Sequence, residues 1–140
     1  MTRILAIDYG IKRCGIAISD PLKIIANGHS VVNTIEIFST LHSLVNEQNI
    51  ETIVVGYPIG MKGQKTSTTE LVDQFILSLK KEFPQIKIEP IDERLTSRMA
   101  QQTLIFMNTK KSDRQKKANL DLISATIILQ NYLDYYNNKL

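Results

Sequence analysis

Fourteen carboxylates, two histidines and one cysteine are the side chains from which this chain could build a reaction centre. His29 falls in a strand pattern and His42 in a helical one, and no motif joins them. No serine occupies a nucleophile elbow, and there is no GxxxxGK[ST] loop. The carboxylates sort by context. Glu36, Glu47, Glu51, Glu70, Asp73, Glu82, Glu89, Asp113 and Asp134 sit in polar stretches, caps or helix faces, where solvation accounts for them. Asp20, ahead of Pro21, reads as a turn residue. Four do not fit that account. Asp8 closes a wholly apolar strand, where an unpaired charge is expensive. Asp92 and Glu93 follow a strand directly, in IDERLTS, and Asp121 interrupts the apolar run NLDLISATIIL.

Carboxylates brought to one sheet edge from distant parts of a chain suit hard divalent cations. Mg²⁺ prefers oxygen donors, uses one or two carboxylates plus waters, and shares its shell with phosphate. Two such ions about 4 Å apart activate a water and stabilise the leaving oxygen in phosphodiester cleavage. Singly, each residue has a plainer role: a turn aspartate, an ion pair with Arg94, a helix cap. Their joint placement beside a cationic segment favours the metal site.

The elements that would position them follow from periodicity. Arg3 to Ile7 is a buried strand ending at Asp8, with a turn at Gly10. Gly15–Ser19 and Ile24–Val32 read as two more strands, and the short loops favour an antiparallel meander. Residues 34–48 place apolar side chains at helical spacing, and Glu51–Tyr57 is a strand buried on both faces. Pro58–Lys65 is a loop. Ser67-x-x-Glu70 has the capping-box pattern ahead of an amphipathic helix that Pro84 stops. Ile86–Ile91, broken by Pro90, is a strand near an edge or end. A helix over 96–107, a basic loop and a last helix from about 118 to 136 complete the chain. On that helix Asp121, Ser124, Ala125 and Ile128 share a face, and the small residues would admit close approach to the sheet. Hairpin strands followed by alternating helix and strand predict one α/β domain over residues 1–140 with a five-stranded mixed sheet flanked by helices.

The composition sets limits on the rest. With 140 residues and 43% hydrophobic content the chain holds one ordinary core, too little for two lobes around a cleft. A single cysteine, Cys14, excludes an internal disulfide and a Cys-rich zinc site. No apolar leader or transmembrane-length run is present, so a cytoplasmic protein with no membrane partner is expected. The net charge of +3 is unevenly placed. Lys110, Lys111, Arg114, Lys116 and Lys117 against Asp113 give a local +4, leaving −1 on the remainder. Such a segment suits an anionic polymer, most commonly nucleic acid, and equally a solvated loop.

These residues resemble a known family. IDYGIKRCGIAISD is similar to the D-x-G-x-x-x-x-G-x-A-x-S-D opening of the YqgF/RuvX family. VVGYPIGMKG is similar to its V-G-x-P-x-x-x-x-G loop, IDERLTS to its D-E-R-L-[ST]-[ST] motif, and KKANLDLISATIILQNYL to its closing helix. All four occur in order across essentially the whole chain. Departures are Cys14 for an aliphatic residue, Gly60 for a common Asn, Lys62 for a common acidic residue and Ser124 for the first Ala of a pair.

The resemblance implies a ribonuclease H-like fold related to the RuvC resolvases. It also implies a cytoplasmic nuclease that processes the 5′ end of precursor 16S ribosomal RNA, in some relatives a Holliday-junction resolvase. Its acidic residues carry over to Asp8, Glu93 and Asp121, with Asp92 second to Glu93. On this reading Asp8 bridges two Mg²⁺ or Mn²⁺ ions and Glu93 and Asp121 complete the cage. Lys12 and Arg13 reach a phosphate beside it. Arg94 does the same or pairs with Asp92, and Lys110, Lys111, Arg114, Lys116 and Lys117 follow the backbone farther out. Tyr9 and Tyr57 are candidates for base stacking, or equally pack against neighbouring helices. The expected partner is precursor rRNA, including on the ribosome, with the protein a monomer or weak homodimer. The alternatives are a dimeric resolvase acting on branched DNA and a non-catalytic nucleic-acid-binding module. A sugar-kinase phosphate loop, suggested by Asp8-x-Gly10 and Gly15, would need a second lobe.

Overall fold

The computed structural model describes residues 1–60, 62–92 and 113–138, with side chains in the last segment described from residue 120. Strands β1 (Arg3–Tyr9), β2 (Arg13–Ser19) and β3 (Ala26–Asn33) lead through a 3₁₀ turn at Thr34–Glu36 into helix α1 (Ile37–Gln48). Then follow β4 (Ile50–Tyr57), α2 (Ser67–Glu82), β5 (Lys87–Asp92) and the long helix α3 (Asp113–Asn138). The sheet order is β3-β2-β1-β4-β5. β1, β2 and β3 pair antiparallel as the expected meander, whereas β4 runs parallel to β1 and β5 parallel to β4. The mixed five-stranded sheet expected from the sequence is therefore present, and the Pro90-containing strand is an edge.

The alternation of strand side chains divides the core in two. One face carries Leu5, Ile7, Ile16, Ile53 and Val55, packed against Leu41 of α1 and Val72, Phe75 and Leu79 of α2. The other carries Ile4, Ala6, Ala17 and Val54 beneath Ala125, Ile128, Leu129 and Leu133 of α3. β1 and β4 are sandwiched between the helical layers, which is why both read as continuous apolar runs.

Local chemistry sets the joints. Asp20 organises the β2–β3 turn by accepting hydrogen bonds from the backbone N–H groups of Leu22, Ile24 and Ile25, at 3.2, 2.7 and 2.8 Å. Asn49 ends α1 in the left-handed region (φ 57°), a conformation its short polar side chain tolerates. The α2 cap lies one residue earlier than the Ser67/Glu70 pattern suggests. Thr66 is the cap, and its partner is Thr69, whose hydroxyl accepts from the Thr66 N–H at 2.9 Å. A threonine hydroxyl supplies both halves of the reciprocal bond, so the glutamate is not needed.

The expected basic loop is corrected in part. The last helix begins at Asp113, not near 118, so the backbone at Arg114, Lys116 and Lys117 is helical. Arg and Lys propagate helices well, and an acidic residue at the first position suits the positive end of the helix dipole. The expected helix over 96–107 lies outside the described residues.

Candidate active site

Asp8 is the next residue after Ile4 and Ala6 on the strand face that α3 covers, and it stands half-buried near the end of β1. Its cross-strand neighbour on β2 is Gly15. Over Gly15 lies the backbone of Asp121. A methyl group at Gly15 would fall 2.2 Å from the Asp121 carbonyl oxygen and 3.3 Å from Cβ of Ala125. The absence of that methyl lets α3 rest directly on β2 there. Ser124, Ala125 and Ile128 are buried on the same helix face, as their spacing implied. Thus β1 supplies one carboxylate, β2 supplies the clearance, and α3 brings the second carboxylate over it.

Arg13, two residues before Gly15 on β2, donates from Nε to Oδ2 of Asp121 at 3.0 Å. The guanidinium pairs with this carboxylate, where it fixes the side chain of Asp121 and offsets its charge. Lys12 is exposed in the β1–β2 turn beside it. Cys14 lies on the opposite sheet face, 3.5 Å from the Thr34 hydroxyl. Burial pushes its thiol up; the charges of Asp8 and Asp121 add to this, and hydrogen bonds with Thr34 and Gly10 oppose it. One sulfur thus feels both carboxylates, and its raised value makes it a neutral core residue rather than a nucleophile.

Asp92 lies elsewhere. Ile88 packs into the α1/α2 side of the core and Ile91 into the α3 side, so strand alternation puts Asp92 with Ile88, on the face opposite Asp8. Glu93, Arg94, Lys110 and Lys111 are outside the described residues, as are the side chains of Arg114, Lys116 and Lys117. Among the described residues no group of three or more His, Cys, Asp or Glu side chains gathers as a metal site. Asp8 and Asp121 are the described members of the expected trio.

The two tyrosines take the packing role. Tyr9 stacks on Phe75 with ring centroids 4.3 Å apart, and the Tyr57 hydroxyl donates to Oδ1 of Asp73 at 2.6 Å. Both pack on the α1/α2 side, on the sheet face opposite Asp8. Sequence reasoning missed the role of Gly15 as the seat of α3. Its signal was present: Gly15 and Ala17, two residues apart, are the small residues of one strand face, matching Ser124 and Ala125 on the helix.

α3 is fastened at its other end. Gln130 accepts from the Ala26 N–H at 2.9 Å and donates to the Ile24 carbonyl at 3.0 Å, and Asn137 donates to the Lys23 carbonyl at 3.0 Å. Buried Tyr132 interacts with Glu89 of β5; desolvation first, and that hydrogen bond second, hold its hydroxyl protonated.

A mixed sheet in this order, with a carboxylate at the end of its central strand and a second on the covering helix, is a ribonuclease H-like architecture. Solved structures agree on the fold. Thermus thermophilus RuvC, in complex with a Holliday junction substrate, superposes with a TM-score of 0.57 at 10% identity over 99% of this chain and 97% of that one. The yeast mitochondrial Holliday junction resolvase Ydc2 gives 0.52 at 15% identity, covering 99% and 82%. The family model described as "RuvX: Holliday junction resolvase" matches residues 2–135, and the chain belongs to the RuvX family. A relative from Bacteroides thetaiotaomicron, named "Putative pre-16S rRNA nuclease", is 46% identical over 134 residues, covering 96% of this chain and 97% of its own. One of the same name from Flavobacterium psychrophilum is 44% identical over 133 residues, covering 95% and 97%.

Proposed function

We propose that this protein is a divalent-metal-dependent nuclease that hydrolyses RNA phosphodiester bonds, acting on the 5′ end of precursor 16S rRNA. The observation that carries the reading is the seating of Asp121 on Gly15, directly across the ladder from Asp8. It brings two carboxylates from residues 113 apart in sequence to one end of the sheet, with Lys12 and Arg13 beside them. The naming of relatives at 44–46% identity supports the RNA substrate.

The donor set fits a hard cation. Both described groups are carboxylates, both are partly open to solvent, and no thiolate or imidazole competes for the position. Mg²⁺ or Mn²⁺ held there would supply Lewis-acid activation of water and stabilisation of the leaving oxygen. Asp8 and Asp121 would hold it, with Glu93 as the third ligand; the opposite-facing position of Asp92 makes Glu93 the better choice. Arg13 orients Asp121 and keeps two nearby carboxylates from repelling each other before the cation arrives. Lys12, exposed beside that pair, meets the phosphate backbone of the strand. Arg94, Lys110, Lys111, Arg114, Lys116 and Lys117 would add phosphate contacts that give affinity without sequence readout. No described helix is long and apolar enough to cross a membrane.

The family description and the RuvC-like fold favour one other reading, a resolvase acting on branched DNA. A resolvase cuts two strands symmetrically and so needs a stable dimer. The test is cleavage of precursor rRNA and of a four-way DNA junction by purified protein, with and without Mg²⁺, beside Asp8→Asn. Metal-dependent cleavage of the RNA, abolished by Asp8→Asn, is expected. Junction cleavage by a dimer would replace the first reading with the second, and cleavage retained in Asp8→Asn would remove both.

A further inference from the structure

Two isoleucines at the carboxylate end of the sheet are exposed, where packing alone would bury them. Ile11, in the β1–β2 turn, is 71% exposed, and Ile35, in the 3₁₀ turn after β3, is 97% exposed. Scattered apolar surface residues are ordinary, but these two are mounted on one clasp. The Thr34 hydroxyl donates to the Gly10 carbonyl at 2.7 Å, and the Thr34 N–H donates to the Lys12 carbonyl at 2.9 Å. The bonded carbonyls flank Ile11, and the donor residue precedes Ile35. The turn is also closely packed: a Cβ at Gly10 would lie 2.5 Å from the Arg13 carbonyl oxygen. Arg13 is itself held by Asp121. The backbone that carries two bulky apolar groups is therefore pinned by two hydrogen bonds from Thr34, with exposed Lys12 next to Ile11.

We propose that Ile11 and Ile35 form an apolar wedge that packs against, and opens, the base step bordering the strand to be cut. The inference rests on the nuclease reading and deepens it by naming the class of substrate: RNA with a stacked helical segment next to the scissile strand. Charge decides between occupants. Exposed Lys12, next to Ile11, favours a phosphate backbone, whereas a second copy of this chain would bring the same cation against itself. Apolar side chains placed between base steps unstack them at a cost of a few kcal/mol, recovered through contacts that the opened strand then makes. Here those contacts would be with Lys12 and the carboxylate-held cation. Leu22, Ile24 and Ile25 also expose apolar surface, but at the far end of the hairpin, where Lys23 is paired with Glu51.

The test compares two RNA probes, a single strand and a hairpin with a 3′ single-stranded extension, each carrying 2-aminopurine, at the helix boundary in the hairpin. Binding is measured in Ca²⁺, an oxygen-seeking cation used in place of Mg²⁺ so that the RNA is retained uncut. The full-length protein should raise 2-aminopurine fluorescence in the hairpin. The double variant Ile11→Ser/Ile35→Ser should abolish that rise and weaken hairpin binding about tenfold, while single-strand binding stays within about twofold. Both changed positions are solvent-exposed, so circular dichroism should match the parent; Ile11→Val/Ile35→Val should restore the fluorescence. Equal loss on both probes, or an unaltered hairpin signal, overturns the wedge while leaving the nuclease reading standing. A variant that changes only the sedimentation coefficient assigns the patch to a second copy and also overturns it. Failure of the parent protein to bind either RNA overturns the nuclease reading with it.

Discussion

The two faces of the sheet are packed to different rules. Towards α1 and α2 the sheet offers large side chains, Leu5, Ile7, Ile16 and Ile53, and meets large ones, Leu41, Phe75 and Leu79. Towards α3 it mixes Ala6, Gly15 and Ala17 with Ile4 and Val54, and meets Ser124 and Ala125 beside Ile128 and Leu129. The first face removes apolar area from water and stabilises the domain. The second gives up some of that area for proximity, which brings the backbone of Asp121 against β2. The difference teaches that the proposed chemistry and the bulkier packing lie on opposite sides of the same strands, so changes on one side should be separable from changes on the other.

The sharpest test of that division is Asp8→Asn, on the α3 face. Circular dichroism should show an intact fold while metal-dependent cleavage falls by on the order of 10³ in kcat. Leu41→Ala, on the other face, should do the reverse. This side chain is fully buried, and its truncation should cost about 3 kcal/mol in urea unfolding, with the kcat of the folded protein unchanged. A loss of kcat here would break the comparison.

Gly15→Ala tests the interface where the two roles meet. Its methyl would strike a backbone carbonyl, which cannot rotate away, so both effects should appear: about 3 kcal/mol of stability and a fall in cleavage as Asp121 is displaced. Gly28→Ala is the control. There a Cβ would meet the ends of Leu122 and Thr126 at 3.0 and 3.1 Å, side chains that can shift, and the cost should be about 1 kcal/mol with cleavage retained.

The smallest effect concerns pH. Backbone N–H donors, that of Ile25 foremost, hold the Asp20 carboxyl below the usual carboxylate range. A depressed folded-state value means stability that is present above the unfolded value, about 3.9, and is lost as pH falls through the folded one. Asp20→Asn should therefore be less stable than the parent at pH 7. The gap should close as unfolding is followed into acid.

Much of this was legible in the sequence because burial writes itself as periodicity. The apolar runs at Arg3–Ile7 and Glu51–Tyr57 marked the two sandwiched strands, and Pro90 marked the edge. Asp8 and Asp121 were visible as charges inside apolar runs, where each needs a reason to exist. Pairings were less legible. The Arg13–Asp121 contact joins residues 108 apart in sequence, and no local pattern announces it. The Thr66–Thr69 cap was hidden because threonine serves equally as cap, strand former and surface residue. The face that Asp92 takes could not be read until Ile88 and Ile91 had been assigned to theirs.

The fastening of α3 at Gln130 has a consequence for tolerance. Gln130 grips the backbone on both sides of Ile25, where the β2–β3 turn enters β3, through one amide, nine residues from Asp121, or about 14 Å along the helix axis. Where α3 lies on Gly15 and Ala17 there is little side-chain relief to index it along its axis, and a slip of one residue would move Asp121 by about 1.5 Å. The amide sets the zero of that scale. Precision at one end of the molecule is therefore held by a pair of hydrogen bonds at the other.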